Sequence, residues 1–322
     1  MTRFFGPVFA VVMATIAASS AQADTPALRV GNSSAQAFSF IPLDVGIRKG
    51  FFKKDGIEIE RIDMPGSAKL HQAVAAGAMD IALSGGPDMA YIAKGAPELG
   101  VAQMAGPPLF LGITVPYDSP IKNADGLKGA KVSVSAGGGV TRWLIMRLAQ
   151  QKGWGPDGVV PVASGGDWAS QIAVLTTHQV DAAVTAAALG FKLEETKQGR
   201  LLMTTGEIAP DFIQHVIFAS NAIMHDNPEA VRRFLKGWFD TIAWMRANRK
   251  ESIEIARLTT GFDENVESRE FDLVMPMFSA DGKFLPAGLK VIRESFVDLG
   301  LLQTEPDMSK LYTEAFLPGA AR

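Results

Sequence analysis

Residues 133–143, SVSAGGGVTRW, set three glycines between a β-type run and a helical one, a pattern in which backbone amides can meet a phosphate or another anion. No Lys-Ser or Lys-Thr follows at P-loop spacing, so nothing here would neutralise β and γ phosphates or hold their metal ion. A dinucleotide fingerprint also fails: Gly137 and Gly139 supply its first two positions, but Arg142 occupies the third, where a side chain obstructs helix packing. What remains is a strand end, a glycine turn through Gly137, Gly138 and Gly139, and a helix beginning near Val140. Free amides and the helix dipole make such a turn a seat for a small anion or carbonyl, to which Thr141 adds a hydroxyl and Arg142 a charge. A plain tight turn with Arg142 in solvent accounts for the same residues.

The other reactive side chains do not form a recognisable centre. His71, His178, His215 and His225 lack HExxH or any paired metal spacing, and there is no GxSxG nucleophile elbow. Glu58 and Glu60 alternate along a strand beside a basic turn, as a solvated face does. Neither catalysis nor a cofactor or metal is expected.

Small polar or glycine-rich ends follow other β-type runs: Ser33-Ser34, Pro65-Gly66-Ser67, Ser84-Gly85-Gly86 and Ser164-Gly165-Gly166-Asp167-Trp168. Each alone is an ordinary turn. Together they matter, because open α/β sheets bind ligands beyond the carboxyl ends of their strands. Trp168 and Phe38 are aromatic residues on such loops, where each can stack on a planar ligand or pack in the core.

The elements that carry these loops alternate. LRVGNSS from Leu28 reads as a strand, and Pro42 opens a helix that Gly50 stops. IEIERI (57–62) has the period of two of a half-buried strand. A helix over 69–76, a strand from Asp80, a helix over 87–94 and strands over 99–105 and 109–115 follow. A second series opens at DGLKGAKVSVS (125–135), with helices over 140–151 and 168–176 and strands over 159–164 and 180–185. Strands separated by helices predict mainly parallel, helix-covered sheets. AVAAGAMDIAL from Ala73 echoes VLTTHQVDAAV from Val174, matching Val74 with Leu175, Gly77 with His178 and Asp80 with Asp181. Two lobes of like construction explain the echo, as does chance similarity of short helix-turn-strand units. Beyond Met224 only helices are expected, with Asp226 as a cap and Val231, Phe234, Leu235, Trp238, Phe239, Ile242 and Met245 on one apolar face.

The 322 residues are 47% hydrophobic and 20% charged, enough for a sizeable core in two lobes. Formal net charge is −3 without a basic block, which excludes nucleic acid as a partner class. Residues 1–23 carry Arg3, an apolar run and Ala21-Gln22-Ala23, the layout of a signal peptide cleaved after Ala23. No later run is long and apolar enough to span a bilayer, and no cysteine is present to form a disulfide or accept a lipid. A periplasmic protein is expected.

IPLDVGIRKGFFKKDGIEIERI, LHQAVAAGAMDIALSGGPDM, DGLKGAKVSVS, HQVDAAVT and NPEAVRRFLKGWFDTIAWMRAN, in this order, resemble periplasmic solute-binding proteins of ABC importers for sulfonates, nitrate, taurine and the thiamine pyrimidine precursor. The resemblance covers nearly all of the chain after residue 23. It implies the α/β type II periplasmic-binding fold with an added C-terminal helical region: lobe 1 from 24–118 and 213–322, lobe 2 from 119–212. The crossings between lobes would lie near Pro116 to Asn123 and Gly206 to Phe212. Ser33, Ser84, Gly85, Gly138, Gly139 and Thr141 would line a cleft that closes on a small, anionic organic solute; Ser34, Phe38, Ser67, Gly137, Arg142 and Trp168 complete the candidate set. The sequence departs from the family in replacing small hydroxyl residues of the second-lobe turn with glycine. The implied partners are a membrane permease and its ATPase, with the receptor a monomer. A ligand sensor for a membrane kinase is the alternative role. Enzymes with this architecture exist: the fungal pyrimidine-precursor synthases depend on a cysteine-rich motif this chain lacks, and menaquinone-pathway enzymes usually have no export signal.

Overall fold

The computed structural model describes residues 27–35, 37–135, 139–165 and 168–320. The strands are β1 (Leu28–Asn32), β2 (Ile59–Asp63), β3 (Ile81–Gly85), β4 (Glu98–Ala105), β5 (Leu111–Pro116), β6 (Lys131–Val134), β7 (Val160–Ala163), β8 (Ala182–Ala186), β9 (Gly199–Thr204) and β10 (His215–Ser220). They form two five-stranded sheets of matching order, β2-β1-β3-β10-β4 and β7-β6-β8-β5-β9. In each sheet four strands run one way, and one, β10 or β5, runs against its two neighbours. The antiparallel strand of each sheet is the one next to a crossing from the other, so the sheets are mixed but mainly parallel.

Helices cover both sheets: α1 (Ile41–Lys49), α2 (Phe51–Lys54), α3 (Ser67–Ala75) and α4 (Met89–Ala93) precede the first crossing, and α5 (Val140–Gln151), α6 (Trp168–Thr176) and α7 (Ala187–Glu195) lie between the crossings. After β10 come α8 (Asn221–Asp226), α9 (Pro228–Ala247), α10 (Arg249–Thr260), α11 (Glu264–Val274) and α12 (Pro286–Asp298). The apolar face of α9 is buried as its spacing predicts, with Phe234 stacked on Phe52 at 5.3 Å and Trp238 wholly enclosed. Its cap is Asn227, whose Oδ1 accepts from the Ala230 amide at 3.2 Å, and not Asp226. Pro228 fixes the first helical turn, which makes the residue immediately before it the cap.

The internal echo is structural. Asp80 Oδ2 accepts the Arg29 amide at 2.9 Å, and Asp181 Oδ2 accepts the Lys131 amide at 2.8 Å, each tying the entry of one parallel strand to the next. Gly77 and His178 both turn left-handed, with φ of 72° and 55°, between the helix and that aspartate. His is among the few side chains that accept this region.

The chain passes between the sheets over residues 106–110 and 205–214. The first passage lies earlier than the expected crossing at Pro116 to Asn123, and the lobe boundary at residue 118 moves with it. Leu111–Thr114 pair with β8, and Gly112–Pro116 with β9, so this strand belongs to the second sheet. Tyr117 to Asn123 only resembles a linker in composition. Both passages join the carboxyl edge of one sheet to the carboxyl edge of the other. Six Cα steps from Ala105 to Leu111 span at most about 20 Å, so these two edges have to face one another.

Candidate functional site

On the first sheet, the edge beyond β1 and β3 is built by hydrogen bonding between loops. Ser33 N donates to Leu83 O at 3.2 Å and Gly66 N to Ser33 O at 3.2 Å, which gathers Ser33, Ser34 and Ser67 beside Gly85. Arg61 braces the same loop by donating to Ala35 O at 3.1 Å, while its charge is met by Asp44 and Asp63. Ser84 lies beneath: its hydroxyl donates to Asp88 Oδ2 at 2.5 Å and lies 3.0 Å from Ser67 Oγ, and the Gly85 amide donates to the same carboxylate at 2.9 Å.

Behind Asp88 stands His71, whose Nδ1 lies 2.7 Å from Glu98 Oε1. His71 Nε2 is 3.7 Å from Asp88 Oδ2, too far for a hydrogen bond, so that pull acts through charge. Burial disfavours the His71 cation, but the two carboxylates outweigh it and lift its pKa to about 9. Burial likewise pushes the Asp88 carboxyl up, and His71 with Ser84 and Ser67 more than reverses this, holding it below the usual carboxylate range. Sequence reasoning missed this group entirely, since nothing in the spacing of residues 71, 88 and 98 announces a contact.

His215 was also missed. It opens β10 opposite Gly85, at the carboxyl edge, with its ring 5.1 Å from Phe40 and 5.4 Å from Phe110. Burial drives its pKa down to about 3, against a small opposing pull from Asp88, and its Nδ1 has no partner among the described residues. A neutral imidazole in an aromatic frame thus closes the floor near the crossings. Its only trace in the sequence is a polar residue inside FIQHVIF.

On the second sheet, the corresponding edge carries the loop after β6. Gly137 and Gly138 lie outside the described residues. Gly139 caps α5 with extended backbone (φ −87°, ψ 167°). Thr141 is buried, and its hydroxyl accepts from Ser135 N at 3.0 Å and pairs with Ser135 Oγ at 2.9 Å, so it ties the turn together. Arg142 lines, together with Gly139, a cavity along the outer face of α5. Trp168 begins α6 half-buried against the large apolar core. Phe38, by contrast, is 1% exposed and edge-on to Phe271 at 6.1 Å, which is core packing. The structure therefore brings Ser33, Ser34, Ser67, Ser84 and Gly85 to one edge, and Gly139, Thr141 and Trp168 to the other.

A second contact joins the lobes away from the strand ends. Arg269 of α11 pairs with Glu194 of α7 at 2.6 Å and lies 3.9 Å from the centre of the Phe191 ring. Lys192 reaches Asp263 at 2.7 Å, Asn265 donates to Glu195 at 2.7 Å, and Val266 packs with Ala188 and Phe191. Within α11, burial raises the carboxyls of Glu267, to about 7, and of Glu270. A double-mutant cycle of Arg269→Ala and Glu194→Ala, followed by denaturant unfolding, is expected to give a coupling of about 0.5–1 kcal/mol, since both groups are partly screened. Zero coupling would leave the contact to its apolar part.

Two helix-covered mixed sheets joined by a double crossing, with glycine and serine loops on facing edges, define the periplasmic-binding class of α/β fold. The chain belongs to the NMT1/THI5-like family, whose model matches residues 37–252. Comparison with curated protein sequences finds no match. Among solved structures, it is similar to the periplasmic aliphatic sulphonate-binding protein SsuA from Escherichia coli (20% identity, 92% of this chain and 94% of that one, TM-score 0.76). The alkanesulfonate-binding SsuA from Xanthomonas axonopodis pv. citri, bound to MOPS, gives 19% identity, coverage of 91% and 98%, and a TM-score of 0.69. The desulfurization enzyme DszB, in complex with biphenyl-2-sulfinic acid, gives 18%, 90% and 97%, and 0.65. Identities at this level establish a shared fold, which receptors and an enzyme both use. No helix among the described residues is long and apolar enough to cross a membrane.

Proposed function

We propose that this protein is the periplasmic receptor of an ABC importer, capturing a small organic anion of the sulfonate or carboxylate kind between the two carboxyl edges. Residues 1–23 serve as the export signal, residues up to 105 and from 215 onward form the first lobe, and 111–204 form the second. The permease and its ATPase receive the loaded monomer. The observation that carries this reading is the pair of crossings, which forces two edges rich in Ser and Gly to face each other at short range. A solute touching both edges favours the closed arrangement by its differential affinity. The shared fold of the sulfonate receptors supports binding as the role.

The test is a melting-curve screen of ligand-stripped protein against sulfonates, nitrate, aliphatic and aromatic carboxylates and pyrimidines. A true solute at 100 times its Kd should add about 2.7 kcal/mol, a rise of several degrees. Gly139→Trp is expected to abolish that rise without unfolding the protein, because the backbone at Gly139 is open to any residue. A silent panel, or a hit converted into product, would overturn the reading.

A further inference from the structure

We propose that the outer face of α5 is a second binding site, for an organic anion with an apolar body, and that its occupancy is coupled to the relative position of the lobes. α5 turns Leu144, Ile145, Leu148 and Ala149 into the core. Its opposite face lines a cavity of about 680 Å³, a volume suited to a small organic molecule. Of the residues brought to the two facing edges only Gly139, at the amino end of α5, also lines it; Ser33, Ser34, Ser67, Ser84, Gly85, Thr141 and Trp168 do not, so the cavity adjoins the cleft at the first turn of α5 and runs away from it along the helix.

The chemistry of this cavity is specific. Arg142 and Arg147 both line it, and neither has an ion-pair partner among the described residues. The Arg147 guanidinium lies 5.0 Å from the centre of the Trp143 ring, and its Nε is buried without an acceptor. A buried donor of this kind calls for an acceptor, and guanidinium groups match carboxylate, sulfonate or phosphate oxygens through paired N–H bonds. The cavity's one acid, Asp298, is engaged by Trp143 Nε1 at 3.1 Å. Trp143, Met146 and Leu299 supply an apolar bed for the rest of the molecule.

Asp298 and Leu299 come from the end of α12, which packs on the first lobe, whereas the arginines belong to the second. An occupant touches both and stabilises this arrangement of the lobes, and by linkage it alters solute affinity in the cleft. The coupling, though not the site itself, rests on the receptor reading above.

Naphthalene-2-sulfonate titrated into the full protein by calorimetry is the test. Arg142→Gln/Arg147→Gln is expected to weaken one binding event at least tenfold, Met146→Trp to block the same event by filling the cavity, and Trp168→Ala to leave it intact. Unchanged binding in both the glutamine and the tryptophan variants, or loss only in Trp168→Ala, would overturn the proposal. Arginine-dependent binding with a silent solute panel would sink the receptor reading alone; a solute hit with arginine-independent binding would sink the second site alone.

Discussion

Raising the pH from 6.5 to 9 is expected to remove about 3 kcal/mol of folding stability, and His71→Gln to abolish that slope. The His71 pKa is about 9 in the fold against 6.5 unfolded. The folded state therefore holds the proton more tightly, and its contribution, complete below pH 6.5, disappears as the pH rises through 9. On the acid side His215 acts in the opposite sense. Its folded pKa of about 3 means that unfolding takes up a proton anywhere between pH 3 and 6.5, so stability climbs across that window by up to about 5 kcal/mol. Glu267, at about 7 instead of 4.5, favours the folded state below pH 4.5 and yields that advantage by pH 7, which flattens the acid limb. Glu270, whose carboxyl burial also raises, pulls the same way as Glu267, so maximum stability should fall on the acid side of pH 6. Denaturant midpoints from pH 4 to 9 for wild type, His71→Gln and His215→Gln would separate the limbs. An alkaline slope that survives in His71→Gln would show that Asp88 and Glu98 do not hold a charged imidazole between them.

The second large effect is expected from the smallest possible change, Gly86→Ala. A Cβ on Gly86 would come 2.0 Å from the carbonyl oxygen of Ile213 and 2.9 Å from Ile292 Cδ1. The first of these atoms is backbone and cannot swing aside. The Gly86 amide also donates to Gln214 O at 3.0 Å, so the clash falls on the seam where the second crossing docks on the first sheet. Relief requires residues 213–215 to move away from β3, at a cost of about 3 kcal/mol or more. Solute binding should fall further than stability alone explains, because His215 and Gly85 face each other across the same seam. Gly77→Ala offers the contrast: nothing lies within 4 Å, and only the left-handed backbone is penalised, by about 1 kcal/mol. Melting curves and solute Kd for both variants would decide it; equal losses would place the tight contact elsewhere.

Local chemistry made much of this fold legible before any coordinates. The bounds of α5 and α6 follow from where apolar spacing starts and stops, and the left-handed stop at Gly50 from glycine itself. The repeat of Asp80 in Asp181 correctly implied two sheets of one design. What stayed hidden depends on partners distant in sequence. Residues 106–110 look like any proline turn, and only the pairing of β5 with β8 and β9 shows that the chain has changed sheets. α11 escaped notice because two of the residues on its buried face are acids, Glu267 and Glu270, so no apolar spacing marks it. Of the candidate site, the serines and glycines were found because turns have a composition. His71, Asp88 and His215 were not, because buried polar contacts leave no period in the sequence.

The order of the first sheet also governs how the molecule can be assembled. β10, made from residues 215–220, lies between β3 and β4, which do not pair with each other. All five strands of the second sheet, by contrast, come from one continuous stretch, residues 111–204. A chain emerging from its amino end can therefore complete the second sheet while the first still has a gap with two open edges. Such edges are sticky, and closing the gap late means long-range pairing that slows folding. Until residue 220 has appeared, the amino-terminal strands have no finished sheet to join.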